Sequence, residues 1–278
     1  MQIRNTTPRQ NFTSLFRFSS YKDCYGRRRE TQNTTAVRDD LNYTLLARVA
    51  KQRFAKFDKI KVMPMNGSDG TEAYFIADAF LRVFGEKEAK KKVFPILVTD
   101  IDSFIIDNFG KKGIVSFTPD EIEAFGKNFN KYFEEIPMQE LPQIPNAYSV
   151  RAKAFKLTPF FKELFQFQQA DFQLRLRLTK DKGNSIIIIR NCLAQAFGWP
   201  ETGLIEHQVL DTLKGGSLFV IGGYDRWRLP DMVPTLKNFG AKEVITNVFS
   251  KVKTPLDEIY FNAQKFINKI KYHKHFIK

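Results

Sequence analysis

The sequence predicts an α/β chain: a Rossmann-like, doubly wound sheet with a small inserted β-containing subdomain. Three observations predict it. Residues 60–100 run strand, Gly-rich turn, helix, strand, the βαβ order of a parallel sheet. Ser185-Ile186-Ile187-Ile188-Ile189 is a β-branched run without polar alternation, as a strand covered on both faces requires. Between about residues 116 and 166 the alternation stops and later resumes, which marks an insertion.

Taken in order, residues 1–40 read as an irregular arm rich in Thr, Asn and Arg. Apolar residues at helical spacing (Leu41, Leu45, Leu46, Val49) then predict a helix over Leu41–Phe54. Ile60–Pro64 reads as a short strand, Asn66–Gly70 as a turn, and Glu72–Phe84 as an amphipathic helix. Phe94–Asp100 is an apolar strand that ends in an acid, with another helix after it. Thr118-Pro119-Asp120-Glu121 is a helix start: a capping Thr, Pro in the first turn and an acid at the third position. Pro137, Pro142 and Pro145 mark a loop, and Tyr148–Ala152 is a candidate strand of the insertion. Further on, a helix over 200–213 ends at Gly215-Gly216, and Ser217–Ile221 is the next strand. Thr254-Pro255 opens a last helix with lysines opposite its apolar face.

Composition narrows the function. The 278 residues carry 44 Lys and Arg against 30 Asp and Glu, a net charge of +14. That charge reads either as a solvated Lys-rich surface or as affinity for anionic partners, nucleic acid among them. No apolar run approaches the roughly 20 residues that span a bilayer, so a transmembrane chain is excluded. Cys24 and Cys192 are too few for a disulfide scaffold or a cysteine zinc site, and the N-terminus has no apolar leader; a cytoplasmic location is expected. His207, His273 and His275 are scattered, so no metal is expected.

The turn after the first sheet strand offers free helix amides and close backbone approach at Gly67. It carries acids, Asp69 and Glu72, and no Lys, which argues against a phosphate cradle and for a cationic ligand. Asp100, at the end of the second strand, stands where an acid accepts ribose hydroxyls. Together they point to S-adenosyl-L-methionine, a nucleoside with a cationic amino-acid tail.

These segments resemble the chemotaxis-receptor protein-glutamate O-methyltransferase family of class I S-adenosylmethionine-dependent methyltransferases. Asn66-Gly67-Ser68-Asp69-Gly70-Thr71-Glu72-Ala73-Tyr74 resembles its cofactor turn, and Thr99-Asp100-Ile101-Asp102 its second-strand motif. Gly110–Val115, Phe167–Phe172, Arg190-Asn191-Cys192 and Leu213–Phe219 are similar to later motifs, in order. Asn11-Phe12-Thr13-Ser14-Leu15-Phe16-Arg17 is similar to the family's opening Asn-x-Thr-x-Phe-Phe-Arg motif.

The resemblance implies that Asn11, Thr13 and Arg17 reach the cofactor from the arm, with Arg17 near the methyl-transfer centre. It implies that Glu72 holds the cofactor's amino group and Asp100 its ribose, while Asp171, Phe172, Arg190 and Asn191 complete the pocket. Simpler roles stand beside these: a surface cation for Arg17, a helix-start acid for Glu72, loop caps for Asp171 and Asn191, and core packing for Phe172. The chain departs from the pattern at Thr71, Ala73, Asp171, Gln195 and Gly222–Asp225, and the family's N-terminal helical domain is expected to be absent.

The expected division is an arm and first helix over 1–45, a methyltransferase domain over 46–250 with the insertion at about 116–166, and a basic C-terminal helix over 251–278. The expected activity is methyl transfer from S-adenosyl-L-methionine to a carboxylate on a protein, a receptor in the family's case, with S-adenosyl-L-homocysteine as product. The alternatives are a catalytically impaired binding module for either nucleoside, and methylation of RNA or another anion.

Overall fold

The computed structural model describes residues 20–22, 28–30, 40–142, 153–172, 175, 181–190, 193 and 216–251. Inside the expected irregular arm, β1 (Ser20–Lys22) and β2 (Arg28–Glu30) pair as an antiparallel hairpin. Helix α1 (Tyr43–Arg53) follows; its cap Asn42 accepts from the Leu45 amide at 2.9 Å. This satisfies one of the amides that a helix start leaves unpaired.

The main sheet begins with β3 (Lys61–Met65) and β4 (Ile96–Asp100), joined through α2 (Thr71–Phe84) and α3 (Glu86–Lys92). Three strands intervene before the chain rejoins it. β5 (Ile114–Phe117), β6 (Phe133–Ile136) and β7 (Lys153–Leu157) form a separate antiparallel sheet with β7 in the middle. The candidate strand at 148–152 lies outside the described residues; β7 starts directly after it. β8 (Phe165–Gln169) then takes the sheet edge beside β4, parallel to it.

β9 (Ser185–Ile189) pairs with the other side of β3, and β10 (Leu218–Ile221) pairs with β9, both parallel. The edge is closed by β11 (Lys242–Ile245) and β12 (Val248–Ser250), with β12 antiparallel to both β10 and β11. The spatial order is β11-β12-β10-β9-β3-β4-β8. Counting only sheet strands in chain order, the parallel five read 3-2-1-4-5, a doubly wound order that reverses between β3 and β9.

The isoleucine run of β9 shows why both faces must be covered. Ile186 and Ile188 belong to the core with α1 and α2, while Ile187 and Ile189 belong to a second core with Met63, Met65, Leu229, Met232 and Leu236. All four are at most 1% exposed. Most of the described phenylalanines fill core. Phe75 of α2 stacks on Phe125 at 4.0 Å, and Tyr74 packs edge-on against Phe133 and Phe165. These rings weld the small sheet to α2. Among the described residues no helix is long and apolar enough to cross a membrane. The helices expected over 200–213 and after Thr254 lie outside the described residues.

Candidate functional site

In a doubly wound sheet, ligands bind outside the carboxyl ends of the strands where strand order reverses, here between β3 and β9. The turn at Asn66–Gly70 occupies that position. Its backbone is unusual: Asn66, Ser68 and Gly70 all have positive φ, at 57°, 50° and 90°. Asparagine and glycine tolerate this region, whereas serine is held there by its surroundings. The Ser68 amide donates to Asp100 Oδ2 at 2.8 Å, which supplies the restraint. Gly67 and Gly70 are required sterically. A Cβ on Gly67 would stand 2.5 Å from Val98 Cγ1, and one on Gly70 would stand 2.6 Å from Phe167 Cζ.

The two acids of the turn separate. Asp69 is fully buried, its Oδ1 accepting from the Thr71 amide at 3.1 Å and the Thr71 hydroxyl at 2.8 Å. Its carboxylate thus holds the first residue of α2, whose N-cap is Gly70. Glu72 does lie in a charged cluster. Its Oε1 accepts from Tyr43 Oη at 3.1 Å and from Arg190 Nη1. Arg190, directly after β9, also pairs through Nη2 with Asp40, and its side chain is completely buried. Burial opposes the charge on Arg190, but the field of Glu72, with Tyr43 and Asp40, reverses that and raises its pKa. An arginine guanidinium keeps its charge in a protein. Two carboxylates against one guanidinium leave the cluster a formal charge of −1.

Asp100 ends β4 as predicted and is 7% exposed. Besides Ser68, it accepts from the Asp102 amide at 2.9 Å through Oδ1. Burial raises its pKa, partly offset by these amides. With the Ile101 amide, three donors meet about four lone-pair sites, which leaves room for a further donor. Thus Asp100 holds the turn against β4 and keeps acceptor capacity.

Of the other predicted residues, Phe172 is 5% exposed and packs in the core with Met63, Met65 and Ile187. Its core reading is the one its surroundings favour. Asp171 is half-buried, beside Ala170, whose amide donates to the Asp100 carbonyl at 2.8 Å. Asn11, Thr13, Arg17 and Asn191 lie outside the described residues. Sequence reasoning missed Asp40 and Tyr43. Asp40 accepts from Gly223 N through Oδ2, and its carbonyl accepts from Asn247 Nδ2 at 2.9 Å. It thereby joins the arm's end to the loops after β10 and β11. No local pattern announces such a residue, because its partners are distant in the chain.

The residues fit a nucleoside with a cationic tail. Among the described residues seven buried side-chain atoms have no hydrogen-bond partner, and three of them lie here: Asn66 Oδ1, Thr99 Oγ1 and Arg190 Nε. They sit at the carboxyl ends of β3 and β9, which flank the reversal, and of β4, the neighbour of β3. Unmet polar capacity there, with remaining acceptor capacity on Asp100 and a surplus negative charge at Glu72, suits hydroxyls and an ammonium or sulfonium. Among the described residues no cluster of His, Cys, Asp and Glu could hold a metal ion.

No family model matches the chain, and no curated protein matches it. Solved structures resemble it loosely. An O-methyltransferase family protein from Burkholderia thailandensis is 10% identical, with a TM-score of 0.35 over 76% of this chain and 56% of its own. The chain thus spans little more than half of that protein's length. A proposed S-adenosyl-L-methionine-dependent methyltransferase from Methanococcus maripaludis is 12% identical, with a TM-score of 0.34 over 76% of this chain and 85% of its own. The glycopeptide N-methyltransferase MtfA, complexed with sinefungin, is 11% identical, with a TM-score of 0.27 over 65% of this chain and 54% of its own. The fold assignment therefore rests on strand order and burial, not on superposition.

Proposed function

We propose that this chain is an S-adenosyl-L-methionine-dependent methyltransferase whose acceptor is a carboxylate on a protein. The observation that carries the reading is the convergence of the strained turn, Asp100 and the Glu72–Arg190–Asp40 cluster on the point where strand order reverses. The edge hairpin adds fold-level support. β12, antiparallel between β10 and β11, completes a seven-stranded sheet, and the link from that sheet to methyl transfer is an analogy of fold. The carboxylate acceptor is carried by the family resemblance.

In this reading Glu72 and Asp40 face the cofactor's cationic tail, Asp100 accepts from ribose hydroxyls, and the turn lies along the nucleoside. When bound, the sulfonium supplies an electrophilic methyl group and its own neutral leaving group. A carboxylate is already nucleophilic at neutral pH, so the protein needs no general base. Its residues have to align oxygen, methyl and sulfur and exclude water. Arg17, from the arm, is assigned to orienting the incoming carboxylate by paired hydrogen bonds.

Calorimetry with S-adenosyl-L-methionine and S-adenosyl-L-homocysteine tests the cofactor, and tritiated-methyl transfer to base-labile protein esters tests the acceptor. Arg17→Ala should abolish transfer and keep cofactor affinity within about tenfold, since the residues of the sheet edge still hold the nucleoside. Label in the RNA fraction, with affinity falling steeply with salt, would replace the protein acceptor. Binding without any transfer would make the chain a sensor of the nucleoside.

A further inference from the structure

The same sheet edge carries an exposed aromatic group that methyl transfer leaves unused. The helix Gly223–Arg228 starts directly after β10, and its first amide donates to Asp40. Trp227 is 71% exposed and Tyr224 37%. Their ring centroids are 5.9 Å apart and inclined by 49°. The Arg228 guanidinium lies over both rings, 5.4 Å from the Trp227 centroid and 5.8 Å from that of Tyr224. Its Nε donates to Tyr224 Oη at 3.1 Å, which orients the group. Arg226 shows the contrast: Glu243 holds it at 2.7 Å and Asn247 at 3.1 Å. Among the described residues no carboxylate pairs with Arg228.

Leaving Trp227 in water forfeits the burial energy of a large ring, and among the described residues no packing contact accounts for it there. Trp, Tyr and Arg are the residues that dominate protein interfaces. A guanidinium braced on aromatic rings presents its terminal nitrogens as a fork matched to a carboxylate. The rings are tilted, so they do not offer the parallel platforms on which successive bases stack. A chain of net charge +14 also attracts an acidic partner.

We propose that Tyr224, Trp227 and Arg228 form the docking patch for an acidic segment of the acceptor protein, with Arg228 taking a carboxylate and the rings covering its apolar neighbours. Its role in presenting a substrate rests on the methyl-transfer reading above; its binding does not. Asp40 of the charged cluster accepts from the amide that starts the patch's helix, which follows the carboxyl end of β10.

The test is fluorescence anisotropy on the full chain, without cofactor, using a labelled peptide of alternating Glu and Ala. The Gln-Ala counterpart and a single-stranded oligouridine are the comparisons. The Glu peptide should bind. Arg228→Gln and Trp227→Ala should each weaken it by about tenfold or more, and Arg228→Lys by less than Arg228→Gln, because charge survives without the fork. Both residues are exposed, so circular dichroism and cofactor calorimetry should match the parent. No binding of the Glu peptide, equal binding of the Gln peptide, or binding indifferent to both substitutions would overturn the patch. Oligouridine binding lost in Trp227→Ala, with the peptide unaffected, would also overturn it. Peptide binding by a chain with no affinity for S-adenosyl-L-methionine would uphold the patch and contradict methyl transfer.

Discussion

Arg190 shows what one buried charge demands. With its side chain wholly out of water, it is tolerable only because Glu72 and Asp40 face it. Removing one partner of such a cluster costs about 3–5 kcal/mol, since the remaining charges stay buried and uncompensated. Arg190→Met should therefore lower unfolding free energy by about that amount in urea titrations. Glu72→Gln is milder for folding, because Asp40 still balances the guanidinium. It removes the surplus charge, though, and should weaken S-adenosyl-L-methionine binding by about 1.5–3 kcal/mol in calorimetry. Asp100 makes a pH prediction. Its folded pKa is raised, so between the ordinary carboxylate range and that raised value the folded state binds the extra proton. Stability then falls as pH rises through this window, and the penalty is complete above it. Asp100→Asn lacks that term. Its stability relative to the parent should improve from pH 4 to neutrality, measured by denaturant midpoints; a relative decline would contradict the burial assigned to Asp100.

At the scale of elements, local signals and long-range ones part company. The helix start at Thr118 is legible because its chemistry is local. The Thr118 amide donates to Glu121 Oε2 at 2.9 Å while Thr118 Oγ1 accepts from the Glu121 amide at 3.4 Å, a full capping box. Thr118→Ala should cost about 1 kcal/mol, read as a shift in thermal midpoint. The turn's Gly70 is legible too, but only the structure shows its second reason, the Phe167 ring above it. Gly70→Ala combines a left-handed backbone with that clash and should destabilise by about 2 kcal/mol or more in urea titrations. The hairpin of β11 and β12 carries no comparable signal. Each strand is three or four residues long, and their pairing depends on the β10 edge rather than on their own pattern. Asp78 is equally silent in the sequence. It reads as one acid on α2, yet Oδ1 accepts from Asn128 at 3.0 Å and Tyr132 at 3.2 Å, tying the helix to the segment before β6.

For the whole molecule, the doubly wound sheet follows from periodicity, because buried parallel strands must be apolar throughout and helices between them amphipathic. The position of the site follows as well, since reversal of strand order is set by that same alternation. What periodicity cannot carry is the pairing of distant charges. Asp40, from the arm's end, and Tyr43, from α1, meet Arg190 only once the sheet has assembled. The central claim is that this edge binds S-adenosyl-L-methionine, and linkage makes it measurable on the intact chain. A ligand at 100 times its dissociation constant stabilises the folded state by about 2.7 kcal/mol. Calorimetric titration of the parent and Glu72→Gln with S-adenosyl-L-methionine, with thermal midpoints recorded alongside, is the most direct measurement. The account predicts saturable one-to-one binding, a raised midpoint, and weakening of both in Glu72→Gln; no heat and no shift in the parent, or equal affinity in the variant, would contradict it.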